Sequence, residues 1–112
     1  HLYAAGYDIA TPAGYAAVMQ QVGRIVGFPY LRGLHLNDAK AGLNSHVDRH
    51  ESLGRGTLGQ AVFRCIMNDR RLDELPLVLE TPDDTRWPQE IKSLYAMEKQ
   101  RRGAVRPRPR SR

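Results

Sequence analysis

Three of the chain's four histidines fall in "HLNDAKAGLNSHVDRH", residues 35–50, together with two acids. Asp48 and His50 are two apart, so on extended backbone both side chains leave on one side. A carboxylate beside an imidazole suits Zn²⁺ or Mn²⁺. Alone, a D-x-H pair occurs often by chance. His35 lies near the end of the apolar stretch "YLRGLHL", and Glu80 closes "LPLVLE". Flanked by leucines, His35 also reads as a half-buried structural histidine. Glu80 is harder to explain that way. A carboxylate ending an apolar strand needs a partner, and a metal ion or an arginine would serve. Taken together, His35, Asp48, His50 and Glu80 indicate a divalent-metal site.

The elements that must hold these residues alternate. "TPAGYAAVMQQVGRIVG" has a helix N-cap in Thr11, proline at the first helical position and a stop at Gly27. Tyr15, Val18, Met19, Val22, Ile25 and Val26 mark one apolar face. Residues 30–36 read as a short strand. Residues 37–58 read as a long polar loop without regular structure, in which Gly54 and Gly56 permit tight geometry. "GQAVFRCIMNDRR" reads as a second helix. Its Cys65 sits on the apolar face as a small buried residue, outside the site. Residues 75–80 are apolar enough for a strand buried on both faces. "TRWPQEIKSLYAMEKQ" gives a third helix, with Trp87, Ile91, Leu94 and Tyr95 as its buried stripe. The order α-β-α-β-α implies parallel pairing with right-handed crossovers. Two parallel strands make a poor sheet alone. The fold expected is therefore α/β, part of a (β/α)8 barrel of about 250 residues, whose polar strand ends face the active site.

The chain has 112 residues and a formal charge of +5, but the charge is uneven. The last twelve residues, "RRGAVRPRPRSR", carry six arginines and no acid. Residues 1–100 hold 11 basic and 12 acidic groups and are near neutral. The Arg/Pro tail, 100–112, is expected to be disordered: a solvated extension, or a weak salt-sensitive contact to phosphates. No apolar run approaches the roughly 18–20 residues of a membrane span, and the start has no signal-peptide pattern. A single cysteine favours a reducing compartment.

Several blocks, in order, then resemble one family. "AAGYD", "LRGLHLNDAK", "VDRHESLGRGTLG" and "LPLVLETP" resemble the C-terminal part of the endonuclease IV family, the apurinic/apyrimidinic endonucleases on a xylose isomerase-like TIM barrel. The resemblance covers residues 1 to about 98. It implies a DNA-repair enzyme that uses three zinc ions to cut the backbone 5′ to abasic sites, leaving a 3′-hydroxyl and a 5′-deoxyribose phosphate. By the resemblance, His1, Asp48 and His50 hold one zinc. His35 and Glu80 are two ligands of a second, Glu80 being the catalytic carboxylate. Position alone would make His1 a surface histidine. The remaining ligands would lie on earlier strands, so this chain holds at most one complete ligand set and is expected to be inactive alone.

Asn37, Lys40 and Arg49 are candidate contacts to double-stranded DNA. Arg49, between two proposed ligands, should face the other way. His46 stands where several relatives have arginine and reads as a loop residue. A monomer in the cytoplasm, bound to abasic-site DNA and to no membrane, is the corresponding expectation. Two other readings stay open: a metal-dependent sugar isomerase or epimerase on the same barrel, and an inactive truncated product.

Overall fold

A computed structural model describes residues 1–99 of the chain. The Arg/Pro tail lies outside the described residues. The first helix, α1 (Pro12–Ile25), starts as its sequence dictates: the Thr11 hydroxyl accepts the Gly14 amide, and Pro12 needs no partner for a missing N–H. It ends where Gly27, at φ +88°, turns the chain and its amide returns to the Val22 carbonyl. Tyr15, Val18 and Met19 are buried, with Val22 packed beside them. Ile25 and Val26 are exposed instead of continuing the face, because they sit on the last turn before the chain swings away at Gly27.

A short helical turn, Phe28–Tyr30, leads into β1 (Leu34–Leu36). Next come two short strands inside the stretch expected to be an unstructured loop: β2 (Asp38–Ala39) and β3 (His50–Glu51), paired antiparallel. "NDAK" and "DRHE" carry no apolar alternation, so sequence period could not reveal this ribbon. Helix α2 (Ala61–Met67) follows and buries Val62, Phe63 and Ile66. It is shorter than the expected helix, which continues only as the separate turn Arg70–Leu72. Then come β4 (Leu77–Leu79) and α3 (Trp87–Met97).

Strands β1 and β4 pair in parallel, with His35 opposite Val78 and Leu36 opposite Leu79. The alternation puts the leucines on the helix-covered face, where they join Met19, Phe63 and Leu94 in one core. The other face carries His35 and Val78, and by the same alternation Glu80. Val78 is 50% exposed. The expectation that residues 75–80 are buried on both faces is thus corrected: among the described residues, one face is covered and the face bearing the polar side chains is open.

The buried stripe expected on α3 is also corrected. Leu94 is buried, but Trp87, Ile91 and Tyr95 are exposed and Glu90 takes the inward position. Glu90, Leu94 and Met97 follow i, i+4, i+7 spacing toward the core; the aromatic and Ile91 positions lie on the flank. Cys65 is half-buried against the core, and burial pushes its thiol pKa up, away from a nucleophile's range.

Candidate metal centre

Backbone pairing fixes where the candidate ligands stand. The Glu80 amide donates to the Leu36 carbonyl, continuing the β1–β4 ladder one residue past the strand. This sets Glu80 beside His35, whose Nδ1 lies 2.5 Å from Glu80 Oε1. The ribbon sets the second group. Lys40 donates its amide to the Arg49 carbonyl, next to the Ala39–His50 pair. Asp48 and His50 flank Arg49, and their side chains meet: Asp48 Oδ1 is 3.6 Å from His50 Nε2. The D-x-H pair therefore shares one side of the chain, as its spacing requires.

His1 reaches this group from the far end of the described chain. The loop before Asp48 is fastened to residues 3 and 4: the Asn44 amide donates to the Tyr3 carbonyl, and the His46 amide to the Ala4 carbonyl. Asn44 and His46 both take left-handed backbone conformations, at φ 60° and 57°, to make these contacts. The result puts His1 Nδ1 3.1 Å from Asp48 Oδ2.

One hydrogen bond joins the two groups. His50 Nδ1 lies 2.7 Å from the backbone oxygen of Glu80. A carbonyl only accepts, so Nδ1 carries the proton and donates. The other ring nitrogen, Nε2, then faces the carboxylate of Asp48, where a ring proton or a bound cation would bridge the two. Metal-binding histidines are commonly oriented by such a backbone carbonyl on the other ring nitrogen. Two imidazoles around one carboxylate match the donor types zinc takes. Among the described residues, no group of three His, Cys, Asp or Glu side chains stands gathered to hold a metal ion. Asp48 instead meets His1 through one carboxylate oxygen and His50 through the other, while His35 is turned onto Glu80. All five remain accessible, from His50 at 29% to His1 at 84% side-chain exposure.

Of the candidate DNA contacts, Lys40 and Arg49 are exposed and face each other across the ribbon's backbone pairing. Asn37 is half-buried, and its side-chain amide donates to the Asp38 carbonyl at 2.8 Å. Its polar group is already used within the chain.

Two carboxylates that sequence reading missed hold this architecture. Asp38 is fully buried and accepts the amides of Ala39, Leu58 and Gly59 at 2.7, 2.9 and 3.2 Å. It anchors the end of the loop to β2. Gly56 passes so close that a Cβ there would stand 2.3 Å from the Ala39 carbonyl and 2.5 Å from Asp38 Oδ1. Glu90, 3% exposed, accepts the Leu53 amide and the Thr81 hydroxyl. A signal for Glu90 was present: an acid four residues before Leu94 lies on the same helix face and must find donors.

The sequence model of the xylose isomerase-like TIM barrel family matches residues 1–99. A probable endonuclease 4 from Campylobacter curvus is 50% identical over 99 residues, covering 88% of this chain and 35% of that protein. The crystal structure of endonuclease IV from Thermus thermophilus superposes with a TM-score of 0.76 at 34% identity, over 87% of this chain and 35% of that one. The chain thus spans about a third of the length of the relatives it matches. Among the described residues no helix is long and apolar enough to cross a membrane. The chain belongs to the xylose isomerase-like TIM barrel family, and within it the match is to endonuclease IV.

Proposed function

We propose that the chain is the C-terminal part of a zinc-dependent repair endonuclease that cuts DNA 5′ to abasic sites, leaving a 3′-hydroxyl and a 5′-deoxyribose phosphate. The observation that carries this reading is the double engagement of Glu80. Its carboxylate faces His35, and its backbone carbonyl takes the His50 proton, which leaves His50 Nε2 for the Asp48 side. In this reading His1, Asp48 and His50 hold one zinc, while His35 and Glu80 contribute to a second. Zinc held by these residues would supply Lewis acidity toward phosphate oxygens and developing negative charge. The chain's own residues orient. Asp48, just before β3, and Glu80, just past β4, supply the carboxylates, and the Glu80 carbonyl links the two groups by accepting from His50 Nδ1. Lys40 and Arg49 offer cations to flanking phosphates from the ribbon, Arg49 with bidentate geometry. With one ligand set of three, the isolated chain is expected not to turn over. A complete barrel containing residues 1–99 should act as a monomer in the cytoplasm.

The test is incision of a duplex carrying one abasic-site analogue by that complete barrel, without added Mg²⁺. Glu80→Gln should abolish it. Normal incision by that variant removes Glu80 from the site. Activity on a ketose with Mn²⁺ or Mg²⁺ alone, and none on the duplex, replaces the nuclease reading with that of a sugar isomerase.

A further inference from the structure

The geometry points to Glu90 as a positioning residue for the metal centre, acting through Thr81 and Leu53. This rests on the metal reading above. Its two carboxylate oxygens hold different segments. Oε2 accepts the Leu53 amide at 2.9 Å, three residues beyond His50, and Oε1 accepts the Thr81 hydroxyl at 2.6 Å, one residue beyond Glu80. Thr81 is 4% exposed, and its carbonyl accepts the Trp87 indole N–H at 3.2 Å. The peptide unit joining Glu80 to Thr81 is therefore held from both ends. Its carbonyl receives His50, and the residue after it is fastened to α3. The segment carrying His50 is fastened to the same carboxylate. Glu90 thus sets the separation across which His50 Nδ1 meets the Glu80 carbonyl, and with it the direction of His50 Nε2. A buried carboxylate at this place is otherwise unfavourable. An apolar residue at i−4 from Leu94 would fill the same face.

Co²⁺ binding to the 112-residue chain reads this directly. The measured quantities are the Kd and the visible d–d absorption band, whose intensity reports four-coordinate geometry. Glu90→Ala should weaken Co²⁺ by about 10- to 100-fold, the usual effect of removing a group that orients a ligand, and should reduce the band. Thr81→Val removes one of the two links with little change of volume, and should fall between Glu90→Ala and wild type. Glu90→Gln keeps an acceptor for the Leu53 amide and offers an N–H to the Thr81 hydroxyl. It should restore Co²⁺ binding to nearly the wild-type level. Asp69→Ala, which disrupts a buried carboxylate outside this network, should lower the melting temperature without changing the Kd or the band. Folded Glu90→Ala and Thr81→Val chains that bind Co²⁺ as tightly as wild type, with the same band, overturn the inference. A wild-type chain without a Co²⁺ band overturns the metal reading itself, so the two failures are told apart.

Discussion

Two carboxylate clusters in this chain use similar chemistry to opposite ends. Asp69, with a side chain 6% exposed, accepts the Tyr15 hydroxyl at 2.7 Å and both Nε and a terminal nitrogen of Arg71 at 2.9 and 2.8 Å. Arg71 in turn lies 5.1 Å above the Phe28 ring. Burial pushes the Asp69 carboxyl up, but the hydrogen bonds from Arg71 and Tyr15 outweigh it and hold the group below its ordinary value. Tyr15 moves the other way, its phenol raised by burial and by the carboxylate it donates to. Every oxygen of Asp69 is engaged by a protein donor. Asp48 and Glu80 instead face imidazoles at an accessible edge, with side chains 45% and 40% exposed. A carboxylate satisfied by buried donors fastens the fold, whereas one at an accessible edge among imidazole nitrogens is open to a cation.

The largest expected break in this comparison is at Asp48. Asp48→Ala should weaken Co²⁺ or Zn²⁺ by at least about 100-fold, roughly 2.7 kcal/mol, while the metal-free melting temperature stays nearly constant. Asp69→Ala should do the reverse. Loss of the shared acceptor leaves the buried Tyr15 without its partner, a destabilisation of about 1–3 kcal/mol by urea unfolding, with metal affinity unchanged. Should both variants lose metal equally, the two clusters are not separate.

Smaller is the pH effect. Asp69 has a folded-state pKa depressed below the ordinary 3.8, so the stability it contributes is fully present above that value. It is lost as pH falls from there through the folded-state pKa. Urea midpoints measured between neutral pH and the acid limb should therefore fall less steeply in Asp69→Ala than in wild type. Parallel slopes would remove Asp69 as a source of acid sensitivity.

What was legible in the sequence follows the same division. The α1 boundaries were written in Thr11, Pro12 and Gly27, whose conformational demands are local. The parallel β1–β4 pair was written in two apolar runs separated by a helix. The D-x-H pairing was written in the period of extended backbone. The ribbon was not legible, because Asp38 and Ala39 pair with Glu51 and His50 through backbone groups alone. The α3 stripe was misread because Trp87, Ile91 and Tyr95 outweigh Glu90 on any hydropathy count. Only the presence of the Leu53 amide and the Thr81 hydroxyl, distant in sequence, makes Glu90 the inward residue. His1 became a candidate through resemblance, and its contact with Asp48 depends on left-handed residues at 44 and 46 that no spacing rule foresees.

In the proposed site, His1, Asp48 and His50 form one metal-holding group oriented by the Glu80 carbonyl. Equilibrium dialysis of the 112-residue chain against Zn²⁺, followed by metal analysis, tests it most directly. One tightly held zinc per chain is expected, lost in His50→Ala. A chain that holds no zinc, or a His50→Ala variant that retains it, would rule out this metal group.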